Sequence, residues 1–250
     1  MDTERLLNAR LEQRVQNYWT ARTRDFSAIR KNELHGEISQ RWMKEMRAYL
    51  PQGQTLDILD AGTGTGYFAV LLAREGHCLT GIDITPSMLS DARVTAAHFN
   101  VHADFRQMDV QATSFPDSSF DSIVCRNLVW TLPDPESAYR EWHRVLRPGG
   151  ILLVFDADYA QNVRNHNQKK SWISSDGVYG HIGVTPALAR ENEEITLSMP
   201  ASRHRRPEWD VLLLRESGFS EYGVDEKVGA RILQENDLED APLFLLWAKK

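Results

Sequence analysis

A glycine-rich segment, residues 56–68, combines the residue types and the spacing that say most about this chain's chemistry. It reads LDILDAGTGTGYF, an apolar run that ends in Asp60, then three alternating glycines, then apolar residues at helical spacing. This order predicts a strand, a tight turn and a helix, as at the start of an open α/β sheet. Glycine permits positive φ and lets a ligand lie against bare backbone, so the turn is a candidate ligand-binding loop.

The acidic residue beside this loop separates two nucleotide-type ligands. A dinucleotide fold uses the pattern G-x-G-x-x-G and holds a pyrophosphate at the helix start. Here the pattern is G-x-G-x-G, and the Asp60 carboxylate would repel a pyrophosphate but suit an ammonium group. S-adenosylmethionine (SAM) carries an ammonium and a sulfonium and no phosphate. The loop therefore favours SAM over NAD.

Further motifs follow the loop along the chain. They are GIDITPSML at 81–89, QMDV at 107–110, FPDSSFD at 115–121 and RPGG at 147–150. In this order, and over roughly residues 40–156, the chain resembles the class I SAM-dependent methyltransferases, in particular the small-molecule type of the methyltransferase-11 group. The resemblance implies an α/β, Rossmann-like class I methyltransferase fold. Its sheet is expected to be seven-stranded and mostly parallel with an antiparallel last strand, helices on both faces, N-terminal helices and a cap insertion.

Composition sets limits on the class of protein. The chain has 250 residues, 42% of them hydrophobic and 26% charged, which is typical of one globular α/β domain with an insertion. A net charge of −6 provides no basic field for nucleic acid. No apolar run is long enough for a membrane span, and the first residues predict a polar helix rather than a secretory signal. We therefore expect no nucleic-acid or membrane partner, and leave a homodimer open.

The two cysteines bear on the cellular compartment of the protein. Cys78 and Cys125 lie in apolar, strand-like contexts and are predicted to be buried free thiols. Free thiols fit a reducing environment. We expect a cytoplasmic protein.

Periodicity divides the chain into four parts. Apolar spacing predicts helices over 4–22 and 33–49, strands alternating with helices from 55 to 156, and a helix and two strands after 207. Residues 157–206 are polar and aperiodic. Within a single domain, we expect N-terminal helices covering the cofactor at 1–50, a SAM-binding core at 51–156, a cap and acceptor-site insertion at 157–206, and elements completing the core at 207–250.

The resemblance also implies a cofactor site. Asp60 and the glycines would lie beside the methionine part of SAM. Asp83 would accept hydrogen bonds from the ribose hydroxyls or, alternatively, cap its strand, and Asp109 would hold the adenine amine or cap its loop. The Asn127 carbonyl would accept from the SAM ammonium, with an aromatic from the first helix near the sulfonium. The candidate cofactor-binding residues are Tyr18, Asp60, Ala61, Gly62, Thr63, Gly64, Gly66, Asp83, Ile84, Met88, Met108, Asp109, Val110, Arg126 and Asn127.

The acceptor site is less defined by the sequence. The sequence does not show which residue would act as a base toward the acceptor. The candidates are Asp158, Tyr159, His166 and His204. The run Arg203–Arg206 is either a solvated face or a clamp for an anionic acceptor. The histidine spacing is irregular, so no metal site is expected. The acceptor pocket is expected to draw on Tyr18, Trp19, Tyr159, His166, Trp172, Tyr179, His181, Arg203 and His204.

These features predict a SAM-dependent methyltransferase that transfers a methyl group to an oxygen, nitrogen or carbon of a small molecule by in-line displacement. The segment Arg126-Asn127-Leu128-Val129 lacks the Asn/Asp-Pro-Pro-Tyr/Phe motif of family members that methylate nucleobases or protein amides. The alternatives are a protein methyltransferase and a non-catalytic SAM-binding partner protein.

Overall fold

The computed structural model describes residues 3–169, 183–233 and 243–250, with all of their side chains except those of Glu4 and residues 166–169. No helix in these ranges is both long and apolar enough to cross a bilayer. The helices are α1 Thr3–His35, α2 Glu37–Arg47, α3 Tyr67–Arg74, α4 Pro86–His98, α5 Pro135–Val145, α6 Tyr159–Lys169, α7 Pro186–Ser198, α8 Glu208–Glu216 and α9 Val228–Leu233. The strands are β1 Asp57–Ala61, β2 Cys78–Asp83, β3 Asp104–Gln107, β4 Phe120–Arg126, β5 Leu146–Asp156, β6 Glu221–Asp225 and β7 Phe244–Lys249.

Seven strands of the described residues form one sheet in the order β3-β2-β1-β4-β5-β7-β6. Neighbouring strands from β1 to β5 pair in parallel, whereas β7 runs antiparallel to both β5 and β6. The predicted sheet, mostly parallel with an antiparallel last strand, is confirmed. The strand order reverses between β1 and β4, and ligands of open α/β sheets bind at the carboxyl edge of such a point.

Helices cover both faces of this sheet. On one face Trp42, Met46 and Phe68 pack with Phe155 in a buried cluster. On the other face Tyr139 and Trp142 belong to a second buried cluster. Continuous apolar strands are what a sheet buried on both faces requires. The core therefore holds the carboxyl edge of β1, β2 and β4 in a fixed arrangement.

The first helix is longer than the sequence pattern predicts. The prediction of separate helices at 4–22 and 33–49 is wrong in its first boundary, because α1 continues without a break from Thr3 to His35. Residues 23–32 contain neither glycine nor proline, so nothing in them ends a helix. Buried contacts at Ser27, Ile29 and Arg30 add tertiary support that the apolar spacing does not show.

The segment at 157–206 also differs from its aperiodic prediction, because it contains α6 and α7. Thr185 caps α7 by accepting from the Leu188 amide at 3.2 Å, and Pro186 follows at the first helical position. α7 packs on α1, where Ile195 and Met199 join a buried cluster with Leu11, Val15 and Tyr18. α7 buries few apolar residues and is mostly polar, so its sequence shows no clear helical pattern of apolar residues.

The two cysteines differ in exposure. Cys125 is buried in β4, whereas Cys78 is exposed, so the prediction of a buried thiol is wrong for Cys78. Cys78 is the first residue of β2, where the strand enters the sheet, which explains its access to solvent.

Candidate active site

A cleft lies over the carboxyl ends of β1, β2 and β4, with α1 as its opposite wall. Charged, aromatic and backbone groups from five segments of the chain meet there. It is lined by Glu12, Val15, Trp19, Phe26, Arg30, Asp60, Gly62, Thr63, Gly64, Thr65, Tyr67, Phe68, Asp83, Ile84, Thr85, Met88, Asp109, Val110, Gln111, Arg126, Asn127, Leu128, Thr131, Leu132 and Pro133.

The glycine loop forms the floor of this cleft. Gly62, Gly64 and Gly66 have φ of +66°, +53° and +84°, the left-handed region that glycine adopts most easily. A Cβ on Gly62 would lie 2.6 Å from Leu128 Cδ1, whereas one on Gly64 would meet only Phe26 Cε1, at 3.8 Å. Gly62 is thus required by packing, and Gly64 presents bare backbone to the cleft.

Asp60 is a buried carboxylate at the end of β1. Its Oδ2 accepts hydrogen bonds from Thr63 Oγ1 at 2.6 Å and from the Ala69 amide at 3.0 Å. Burial raises the pKa of Asp60 to about 7, and the neighbouring Asp83 adds to the rise although both hydrogen bonds oppose it. A cation in the cleft would restore the charged form of this carboxylate.

Asp83 ends β2 and joins two loops. Its Oδ2 accepts from the Gly64 amide at 3.0 Å and its Oδ1 from the Thr85 amide at 2.8 Å. Burial raises its pKa, and these backbone hydrogen bonds oppose the rise. Each carboxylate oxygen has a second lone pair, so Asp83 can cap its strand and still accept from a ligand hydroxyl.

One end of the cleft carries two carboxylates bridged by an amide. Gln111 Nε2 donates to Glu12 Oε1 at 2.9 Å and to Asp109 Oδ1 at 3.1 Å. The backbone amide of Gln111 also donates to Asp109 Oδ1, at 2.9 Å. Burial, and then the charge of Asp109, raise the pKa of Glu12. This end therefore favours a ligand that donates hydrogen bonds, such as an exocyclic amine.

The loop after β4 turns sharply at Asn127, whose φ is +54°. The Asn127 carbonyl accepts from Trp130 Nε1 at 3.0 Å, and its amide donates to the Phe155 carbonyl at 2.7 Å. Its side-chain Oδ1 is buried and has no hydrogen-bond partner among the described residues. The side chain, which the sequence did not single out, is thus the better acceptor for a ligand ammonium.

On α1, Trp19 lines the cleft, whereas its neighbour Tyr18 does not. Trp19 and Phe26 face it with ring centroids 5.2 Å apart. Tyr18, which was expected among the cofactor-binding residues, instead packs against Ile195 and Met199 of the α7 side. Adjacent residues of a helix point about 100° apart, so the contact with α7 decides which of them faces the ligand.

Of the other residues expected to bind the cofactor, some line the cleft and some lie in the elements around it. Thr63, Ile84, Met88, Val110 and Arg126 line the cleft. Ala61, Gly66 and Met108 do not line it. Ala61 is buried within β1, Gly66 precedes α3, and Met108 packs at the edge of the second core cluster.

None of the expected bases whose side chains are described lines the cleft. Asp158 accepts from the Gln161 amide at 3.0 Å in the first turn of α6. Tyr159 packs on Trp130 at a centroid distance of 4.9 Å, and burial raises its pKa. His204 stacks on Trp209 at 4.4 Å. The His166 side chain, Trp172, Tyr179 and His181 lie outside the described residues.

The basic run Arg203–Arg206 divides between the surface and the interior of the protein. Arg206 is fully buried, and its Nη2 lies 2.7 Å from Asp210 Oδ1 and 3.2 Å from Asp156 Oδ2. Arg205 is exposed and pairs with Glu208. Arg206 therefore joins the end of β5 to α8, inside the protein.

Several cleft residues were missed from the sequence, including Glu12, Phe26, Arg30, Tyr67 and Gln111. The spacing of Glu12, Val15, Trp19, Phe26 and Arg30 matches one helical face, but this signal appears only when the first helix is extended past residue 22.

The cleft fits SAM. Its carboxylates can accept hydrogen bonds from hydroxyls and from an ammonium, and Asn127 Oδ1, which has no partner among the described residues, is a further acceptor. Bare backbone at Gly64 gives room for the methionine chain opposite the aromatic face of α1.

Residues 59–154 match the family described as "Methyltransferase domain". The chain is 37% identical over 97 residues to the ubiquinone biosynthesis O-methyltransferase of Alkalilimnicola ehrlichii, covering 38% of this chain and 39% of that protein. It is 33% identical over 127 residues to the malonyl-[acyl-carrier protein] O-methyltransferase of Erwinia pyrifoliae, covering 50% and 47%. The chain thus aligns with less than half the length of these relatives.

The fold is similar to a crystal structure of an S-adenosylmethionine dependent methyltransferase from Mesorhizobium loti. The TM-score is 0.59 at 22% identity, and the match covers 84% of this chain and 98% of that one. The match covers more of this chain than the segment matched by the family. From the ordered motifs, the strand order and these matches, we assign the domain that contains residues 59–154 to the class I SAM-dependent methyltransferases.

Proposed function

We propose that this chain is a SAM-dependent methyltransferase that acts on a small molecule. The observation that carries the proposal is the buried Asp60 carboxylate beside the bare backbone of Gly64, in a cleft with Asp83 on its other side. This arrangement fits a ligand with an ammonium and two vicinal hydroxyls. The relatives' names, which describe methylation of oxygen on small or carrier-bound acceptors, support the same class.

Each part of the cleft has a proposed role. Asp83 binds the ribose, while Asp109, with Glu12 of α1, binds the adenine amine. Asp60 and Asn127 Oδ1 bind the ammonium. Trp19 and Phe26 lie over the glycine loop, where aromatic faces attract a sulfonium by about 0.5–2 kcal/mol.

SAM, when bound, supplies a methyl group on a sulfonium whose charge disappears during in-line transfer. The chain's contribution is to position the reactants and to exclude water. Val15, Trp19 and Phe26 of α1 provide an apolar wall, and Met88 and Leu128 provide others. A dry cleft favours the transition state because the charge on sulfur is lost there.

Residues 157–206 are proposed to act as a cap by holding α1 in place. Arg14 of α1 forms hydrogen bonds of 2.9 and 3.0 Å with Glu191 of α7, and the buried cluster of α1 and α7 lies beside them. Within this segment α7 contacts α1, and none of the described residues of the segment lines the cleft. The cytoplasm remains the proposed compartment.

The test is calorimetry with S-adenosylhomocysteine (SAH), followed by release of SAH from SAM in the presence of small acids, phenols and amines. Binding of SAH with turnover of a small molecule supports the proposal. Binding without turnover on small molecules, but with methylation of a protein substrate, would favour a protein methyltransferase. Absence of SAH binding would contradict the proposal.

A further inference from the structure

Four buried side chains meet at the end of the cleft opposite Glu12. They are Arg30 and Glu33 of α1, Tyr67 of α3 and Arg126 of β4, here called the inner cluster. Arg30 Nη1 donates to Glu33 Oε1 at 2.5 Å, and Arg126 Nη1 donates to Glu33 Oε2 at 3.4 Å. The Arg126 guanidinium carbon lies 5.0 Å from the centre of the Tyr67 ring.

The inner cluster brings two guanidinium groups to one carboxylate at this end of the cleft. Two guanidiniums share the Glu33 carboxylate, and all three side chains are less than 10% exposed. Burial, and then the charge of Arg30, lower the pKa of Arg126 to about 10, so it stays protonated at neutral pH. Although burial acts to raise it, Arg30 and Arg126 lower the pKa of Glu33, which is therefore ionised.

Tyr67 gives an independent sign of a ligand. Tyr67 lines the cleft and is only 4% exposed, and its hydroxyl is buried with no hydrogen-bond partner among the described residues. Burial raises the pKa of Tyr67, so the hydroxyl is a neutral donor. Buried polar groups in native proteins are almost always satisfied, so an unpartnered donor in a cleft points to an acceptor atom on a ligand.

The inner cluster lies beyond the glycine loop. Phe26 faces Gly64, and Arg30 comes one helical turn further along α1. The acidic residues proposed to hold the adenine, ribose and ammonium of SAM line the rest of the cleft, between Glu12 and the inner cluster. The cluster also borders Tyr159, at the start of α6, whose pKa responds to Arg126 and Arg30. The acceptor must approach the cofactor from such a neighbouring space.

We propose that the inner cluster binds an oxyanion of the methyl acceptor, a carboxylate or a phosphate, through Arg30, Arg126 and the Tyr67 hydroxyl. This inference rests on the proposed function and names the acceptor class for the same cleft. Guanidinium groups match the geometry of these oxyanions and form strong charge-assisted hydrogen bonds with them. Phe26 and Trp42 support the two guanidiniums by stacking, with the Arg30 and Arg126 carbons 4.6 and 4.3 Å from the ring centres.

The test uses the full chain saturated with SAH and titrated with benzoate, inorganic phosphate and the neutral benzamide. We expect one of the oxyanions to bind more tightly than benzamide, and which of them binds distinguishes a carboxylate from a phosphate. Tyr67→Phe should weaken that binding about tenfold while keeping the melting temperature, since the hydroxyl has no protein partner to lose. Glu33→Gln should strengthen it, because the competing carboxylate is gone. Tyr222→Phe, on β6 at the far edge of the sheet, is the matched control.

The outcomes separate the two levels of the proposal. A wild-type chain that does not bind SAH overturns the proposed function and this inference with it. A chain that binds SAH but neither oxyanion better than benzamide overturns the inference alone. The inference is also overturned if Tyr67→Phe and Glu33→Gln change the affinity for SAH but not for 5′-methylthioadenosine, since the inner cluster would then hold the carboxylate of the cofactor.

Discussion

The Asp83 carboxylate accepts a hydrogen bond from the Gly64 amide at 3.0 Å, and so joins the end of β2 to the middle of the glycine loop. Its other oxygen accepts from the Thr85 amide ahead of α4. One buried carboxylate therefore shapes the floor of the cleft and also presents lone pairs to it. The geometry of the loop and the proposed ribose site depend on the same residue.

Replacing Asp83 tests this double role. We expect Asp83→Ala to lower the affinity for SAH by about 1.5–3 kcal/mol, from loss of charge-assisted hydrogen bonds, and to lower the melting temperature because two amides lose their acceptor. Calorimetry and thermal denaturation measure the two effects. The exposed Asp117→Ala is the control. A folded variant with unchanged SAH affinity would contradict the ribose assignment.

The glycine loop offers a matched pair of substitutions. Gly64 and Gly53 both have positive φ, and at neither would a Cβ clash with the protein. Valine at either position should cost about 1–2 kcal/mol of stability from backbone strain. Only Gly64→Val should abolish SAH binding, because its side chain fills ligand space. Equal SAH affinity in the two variants would show that the loop does not hold the cofactor.

The raised pKa of Asp60 predicts a pH dependence. Its value of about 7 lies above the ordinary 3.8, so between these values the folded protein holds a proton that the unfolded chain has lost. Its contribution to stability is therefore present at low pH and is lost as pH rises towards 7, then stays constant. An ammonium needs the charged carboxylate, so SAH affinity should rise by up to about tenfold per pH unit between pH 5.5 and 7.

Calorimetry over this range, with Asp60→Asn as the comparison, measures the effect. We expect the variant to bind SAH more weakly and with little dependence on pH below 7. A wild-type affinity that is constant from pH 5.5 to 7 would show that Asp60 does not face the ammonium.

Adjacent arginines should differ sharply in their importance for stability. Arg206→Ala leaves Asp156 and Asp210 buried without their cation and should cost about 3–5 kcal/mol. The exposed Arg205→Ala should change stability by less than about 0.5 kcal/mol. Denaturant unfolding of the two variants checks the contrast. Similar losses would mean that the buried ion pairs do not hold β5 to α8.

The sequence by itself determined the succession of strand, turn and helix around the glycine loop and the acidic residues at the ends of β1 and β2. These features are local: apolar runs mark the strands, alternating glycines mark a turn with positive φ, and parallel strands bring their carboxyl ends to one edge. Asp60 and Asp83 reach the cleft for that reason.

Only the tertiary structure decided how distant segments face one another. Packing of α7 on α1 turns Trp19 rather than Tyr18 into the cleft, and the continuation of α1 brings Arg30 and Glu33 to Arg126. It likewise buries Arg206 between two aspartates while Arg205 stays in solvent. The rotation of a helix and the pairing of charges far apart in the chain depend on which surfaces pack together, and no local pattern of residues records that.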